Sequence, residues 1–175
     1  MIPGTFYGKD GYVLCNYYGN KRDKKSLPSY VASIDYAMFG GNGLPNDCLR
    51  ASGSIKPQVL APDTSNSKLR NSECIYTADP EACRNTMSFI LNINGTKDYQ
   101  VALYLLDWDN HGRRQSVEMF DAKTLNLVAQ VKIVTDFSGG KFMIYSYNKS
   151  VKFRIDQVRG DNAVLSGIFF DSPHR

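Results

Sequence analysis

The sequence predicts an all-β fold, two antiparallel sheets packed face to face as a jelly-roll sandwich. Three observations predict it. From residue 87 onward, apolar and polar residues alternate with a period of two, in runs of ordinary strand length. The breaks between runs hold turn formers: Asn94-Gly95, Asn110-His-Gly112, Ser138-Gly-Gly140, Asn148-Lys149 and Gly160-Asp-Asn162. No segment after position 86 carries a helical stripe. Many short strands divided by turn signals suit a two-sheet sandwich.

The elements follow in chain order. Gly11-Tyr-Val-Leu-Cys15 and Tyr30-Val-Ala-Ser-Ile34 read as strands, and Pro57 to Arg70, rich in Pro, Ser, Asn and Asp, as a long loop. Met87, Phe89, Leu91 and Ile93 alternate with Ser88, Ile90, Asn92 and Asn94. Val101 to Leu106 is continuously apolar, as in a strand covered on both sides. Val117 and Met119 alternate with Ser116 and Glu118, and Leu127, Ala129, Val131 and Ile133 with Val128, Gln130 and Lys132. Tyr145 and Tyr147 alternate with Ile144 and Ser146, so their rings share one face, either covering the sheet near its end or lining a groove. Val151, Phe153 and Ile155 alternate with Lys152, Arg154 and Asp156, and Ala163 to Phe170 closes the chain as an apolar strand with Gly167 inside it. The two terminal strands are expected to be paired or adjacent.

Composition bounds the function classes. With 175 residues, 42% hydrophobic and 22% charged, the chain reads as one folded domain, residues 1–175. Its net charge of +4 is spread along the sequence, and the one basic cluster, Lys21-Arg22-Asp23-Lys24-Lys25, is interrupted by an acid; it reads as a solvated loop and no nucleic-acid partner is expected. No run of about 18 apolar residues exists, so no membrane span is expected. Met1-Ile-Pro-Gly lacks the charged start and apolar centre of a signal peptide, which fits a cytoplasmic chain or an excised module of a longer secreted one. Cys74 and Cys83 flank eight residues that a disulfide could close, and the spacing of Cys15, Cys48, Cys74 and Cys83 fits no zinc pattern. Asn94-Gly-Thr96 and Asn148-Lys-Ser150 are glycosylation sequons.

Chemistry concentrates in Tyr99 to Met119, where an apolar strand runs into a polar turn carrying the chain's single tryptophan, Trp108, between Asp107 and Asp109. The two carboxylates point the same way on an extended strand. A general acid/base pair needs one of them desolvated with a raised pKa, whereas Arg113 and Arg114 across the turn favour keeping both ionised. Three readings remain: an Asp–Arg bracket closing a hairpin, a ligand or ion site, or catalysis. Trp108 is either a core ring at the sandwich edge or a stacking platform for a sugar, whose aligned C–H groups pack on aromatic rings while Asp107, Asp109, Asn110, His111 and Arg113 bind hydroxyls. No Ser or Cys stands in a nucleophile elbow, and neither a phosphate loop nor a G-x-G-x-x-G unit is present, so no cofactor is expected. Carboxylates and carbonyls for a structural calcium are plentiful, without a D-x-D-x-D-G loop.

A family resemblance rests on ordered motifs: Val101-Ala-Leu-Tyr-Leu-Leu-Asp-Trp-Asp109, Arg114-Gln115, Asp121-Ala122, Phe137-Ser-Gly-Gly140 and Asn162-Ala-Val-Leu-Ser-Gly-Ile-Phe-Phe170, with Tyr7-Gly-Lys-Asp-Gly-Tyr12 and Leu27-Pro-Ser-Tyr30 upstream. Together they resemble modules appended to bacterial secreted carbohydrate-active proteins, similar to the galactose-binding-like and malectin-like β-sandwiches. The match is clear over about residues 87–171. Tyr or Phe stands where tryptophans are expected near the start and in the Tyr145–Tyr147 strand, and Asn71 to Arg84 is unusual. The resemblance implies a non-catalytic carbohydrate-binding module, extracytoplasmic, in a longer chain of a secreted polysaccharide-degrading system. Glycan would be held by Trp108, Tyr145 and Tyr147 as stacking rings and by Asp107, Asp109, Asn110, His111, Arg113 and Arg114 as polar contacts. The alternative is an accessory sandwich that packs on a glycoside hydrolase domain of the same chain and binds no glycan.

Overall fold

The computed structural model describes residues 7–17, 22–39, 51–54, 70–72, 75–76 and 86–173. Fourteen strands are present among them: β1 Gly11–Leu14, β2 Lys24–Ser26, β3 Val31–Phe39, β4 Ala51–Ser54, β5 Arg70–Ser72, β6 Ile75–Tyr76, β7 Thr86–Ile93, β8 Tyr99–Leu105, β9 Arg114–Asp121, β10 Lys132–Val134, β11 Lys141–Tyr147, β12 Val151–Arg159, β13 Val164–Leu165 and β14 Gly167–Asp171. They form two five-stranded antiparallel sheets, in the orders β11-β8-β14-β1-β2 and β10-β9-β12-β7-β3, with the small ribbons β13-β6 and β4-β5. The expected all-β two-sheet sandwich is what the chain adopts, and its path is that of a jelly roll: β7, β8, β9, β11, β12 and β14 repeatedly change sheet. The expected pairing of the terminal strands is also present, β1 lying antiparallel to β14.

The period-two pattern explains the core. Met87, Phe89 and Leu91 of β7, Val117 and Met119 of β9, and Val151, Phe153 and Ile155 of β12 turn inward to meet Val101, Leu103 and Leu105 of β8. Phe89 and Phe153 stack with centroids 5.1 Å apart. The opposite face of β8 is covered too: Ala102, Tyr104 and Leu106 join Leu14, Tyr17 and Phe169 in a second cluster, flanked by Tyr7, Tyr12, Trp108, Phe142 and Ile144. A strand buried on both faces needs the continuous apolar run that residues 101–106 supply.

One strand expectation is corrected. Of residues 127–133, the last two begin the short strand β10, while Leu127 makes an isolated bridge to Phe120. The inward parity is reversed: Val134 is buried, whereas Ile133 is 59% exposed, and Leu127, Val128 and Val131 are exposed with it. β10 is a sheet edge paired with β9 over three residues, so little of this segment has a sheet opposite it.

Cys15 is an unpaired, buried thiol, hydrogen-bonded with Tyr36, and burial pushes its pKa up. Cys48, Cys74, Cys83, Lys21 and nearly all of the expected 57–70 loop lie outside the described residues; Arg70 opens β5. Both sequon asparagines, Asn94 and Asn148, are exposed. Among the described residues no helix is long and apolar enough to cross a membrane.

Candidate functional site

Strand order brings three connections to one end of the sandwich: β8 to β9, β10 to β11, and β12 to β13. The first is held by Asp107. Its backbone N–H donates to the carbonyl of Phe137 at 3.1 Å, tying the first connection to the second. Its carboxylate accepts from the backbone N–H of His111 at 3.2 Å and of Arg113 at 3.1 Å. The chain can curl around this carboxylate because Asn110 (φ 57°) and Gly112 (φ 66°) adopt left-handed conformations, which Asn and Gly tolerate.

Arg113 sits at the centre. Its Nη1 donates to carboxylate oxygens of both Asp107 and Asp109, its Nη2 to Asp109 at 3.3 Å, and its Nε to Oδ1 of Asn162 at 2.7 Å, reaching the third connection. Burial works against the Arg113 charge, but these bonds to Asp109 and Asp107 overcome it and raise its pKa. Burial likewise pushes the Asp109 carboxyl up, while the Arg113 bonds and charge, with His111 behind them, outweigh it and hold Asp109 below the usual carboxylate range. His111 is exposed; its Nδ1 lies 2.6 Å from Oδ2 of Asp161 and its Nε2 3.8 Å from Asp109. The hydrogen bond to Asp161, then the Asp109 charge, raise its pKa.

Beside this frame lies an open hollow of about 250 Å³, lined by Asn110, His111, Arg114, Asp136, Ser138 and Arg159, with Asp107, Gly112, Arg113 and Phe137 in its wall. Its floor is rigid. Phe137 is fully buried and its carbonyl also accepts from Gly140 N–H at 3.0 Å. Gly140 has φ +82°, and a Cβ there would fall 2.1 Å from the Tyr104 hydroxyl.

The structure thus brings Asp107, Trp108, Asp109, Asn110, His111, Arg113 and Arg114 to one rim. Asp107 and Arg113 are each 2% exposed and bond to one another, while Asn110, His111 and Arg114 face the hollow. Trp108 is half-buried against the second apolar cluster, its indole Nε1 enclosed without a hydrogen-bond partner, and it does not line the hollow. Tyr145 and Tyr147 are corrected: both rings turn into the core, Tyr145 edge-on to Phe153 at 5.2 Å and Tyr147 against Tyr99 at 5.9 Å, and burial pushes both phenols up. Strand parity puts them on the inner face, so they line no rim groove.

Sequence reasoning missed Asp136, Ser138 and Arg159 as lining residues and Asn162 as the acceptor of Arg113. The turn signals Ser138-Gly-Gly140 and Gly160-Asp-Asn162 marked their connections; their convergence depends on strand order. Among the described residues no group of three or more His, Cys, Asp or Glu side chains is placed to hold a metal ion.

No protein-family model matches the chain, and no curated protein matches it in sequence. Solved structures similar to it include TmCBM61 in complex with beta-1,4-galactotriose, at 7% identity and TM-score 0.48, covering 83% of this chain and 92% of that one. Another is a family 35 carbohydrate binding module from Clostridium thermocellum, at 7% identity and TM-score 0.40, covering 79% and 99%. A third is the module CBM6cm-2 from Cellvibrio mixtus lichenase 5A in complex with cellotriose, at 13% identity and TM-score 0.41, covering 82% and 99%.

Proposed function

We propose that this chain is a non-catalytic carbohydrate-binding module, and that the rim hollow takes the sugar. The observation that carries the reading is the hollow itself: a preformed concavity walled by planar or short polar side chains on three connections that a rigid sandwich holds in place. Asn110, His111, Arg114, Ser138 and Arg159 would bond hydroxyls. Asp107, Asp109 and Arg113 would keep the frame, and the exposed part of the Trp108 ring would offer a neighbouring stacking surface. Affinity is expected in the roughly micromolar to millimolar range, since a shallow polar site gains little per contact after desolvation. Residence outside the cytoplasm, within a longer chain of a polysaccharide-degrading system, belongs to the same proposal. Asp107 and Asp109 both bond to Arg113, an arrangement that supports a frame more than an acid/base pair.

A second reading, an accessory sandwich packing against a catalytic domain without binding glycan, is favoured by one observation: the exposed apolar strip Leu125, Leu127, Val128, Val131 and Ile133. A glycan array followed by calorimetry on wild type, His111→Ala and Asn110→Gly separates the two. Binding that weakens in folded variants supports the module. Absence of binding to any glycan supports the accessory domain, and release of reducing sugar by the pure protein would reopen catalysis.

A further inference from the structure

We propose that the hollow selects an acidic sugar, one bearing a carboxylate or a sulfate, with Arg114 and Arg159 as the clamp for its anionic group. The inference rests on the carbohydrate reading above and narrows it to a ligand class. Arg114 and Arg159 are register partners, directly opposite one another where β9 meets β12. Like charges directly opposite each other destabilise a ladder. Neither guanidinium has a carboxylate partner among the described residues, whereas Arg113 is paired with Asp107 and Asp109, and Arg154 with Glu118 and Asp156. Both Arg114 and Arg159 line the same hollow.

The local backbone holds this pair in place. The β9–β12 register is irregular between Gln157 and Arg159, and the Gln157 amide donates to the carbonyl of Gly160. Gly160 has φ +92°, and a Cβ there would lie 3.0 Å from Cα of Arg113; its lack of a side chain lets the turn close on the buried arginine. The rim's acids are mostly committed elsewhere, Asp107 and Asp109 to Arg113 and Asp161 to His111. Asp136 is the exception in the lining; it accepts from the Thr135 hydroxyl at 3.0 Å and would take a sugar hydroxyl at its own side of the hollow. Two forked guanidinium groups facing a cavity with one uncommitted carboxylate suit an anion that presents paired acceptor oxygens, as a carboxylate or a sulfate does.

The test is calorimetry of the full chain with an oligogalacturonate, a sulfated galactan oligosaccharide, a neutral galacto-oligosaccharide of equal length, and inorganic sulfate. The acidic probes are expected to bind about tenfold or more tighter than the neutral one, the scale of one hydrogen bond to a charged group, and to weaken as salt rises. Which acidic probe binds tighter identifies the anion. In Arg114→Gln and Arg159→Gln, checked for unchanged melting, the acidic-to-neutral ratio is expected to fall toward one. Equal affinity for acidic and neutral probes, or a ratio unmoved in both variants, overturns the inference and leaves the carbohydrate reading standing. Inorganic sulfate binding as tightly as the sulfated sugar also overturns it. Failure to bind any saccharide overturns both.

Discussion

The guanidinium of Arg113 is enclosed at 2% exposure and meets two carboxylates and an amide oxygen, so the rim turn is built around a buried ion cluster. Removing the guanidinium leaves the buried Asp107 carboxylate with only its two backbone N–H donors and takes the ion-pair partner from both aspartates. Arg113→Met, which keeps most of the side-chain volume, is therefore expected to lose about 3–5 kcal/mol of unfolding free energy by urea titration. A loss under about 1 kcal/mol would mean the cluster is solvated. His111 makes a pH prediction. Its folded-state pKa is raised, from an unperturbed 6.5, first by the Asp161 bond. The stabilisation is fully present below the unfolded value and is lost as pH rises through the folded one. The melting-temperature advantage of wild type over His111→Gln should therefore be greatest below the unperturbed 6.5 and shrink as pH rises above it; a constant or growing gap would contradict the assignment.

At the scale of elements, β10 shows where alternation misleads. Ile133 and Val134 are neighbours of similar hydrophobicity, yet one is 59% exposed and the other buried. Ile133→Ser is expected to change stability by no more than about 0.5 kcal/mol, and Val134→Ala to cost about 2 kcal/mol in the same denaturation assay. The reverse ranking would restore the parity the sequence suggests. The central strands were legible because each has a sheet or a cluster on its faces, so burial follows the apolar pattern: β7, β9 and β12 on one side, β8 on both. β10 was not, because an edge segment with a single three-residue partner can expose leucine and valine without a sheet to cover them. Tyr145 and Tyr147 share a face as expected, but which face depends on pairing with β8 at Val101 and Tyr99, which no local pattern specifies. An Asp–Arg bracket was readable from spacing within one turn, but which arginine closes it was not: Arg114, one candidate, lines the hollow, whereas Arg113 closes the bracket. Asn162, 49 residues further on, and Arg159 join the rim through topology alone.

For the whole molecule, the first and last strands of the described residues are tied to each other. β1 pairs with β14, and the buried Asp171 carboxylate accepts the backbone N–H groups of Gly8 and Lys9, each at 2.8 Å. Asp171→Ala is expected to cost about 2–3 kcal/mol, the scale of charge-assisted bonds lost with two amides left partly enclosed, and to raise hydrogen exchange at residues 8–13. Exchange unchanged there would show that the β1–β14 ladder holds without this lock. The same sandwich leaves its two ends chemically distinct: one carries the polar hollow, while the other carries an open depression beside Asp98, Tyr99, Gln100 and Ser146. Under the proposed function, sugar enters at the first. Amide chemical-shift mapping during titration with an acidic oligosaccharide tests it most directly. Perturbations are expected to be confined to residues 107–114, 135–140 and 159–162; shifts centred on Asp98, Tyr99 and Ser146, or none at millimolar sugar, would rule out binding at the hollow.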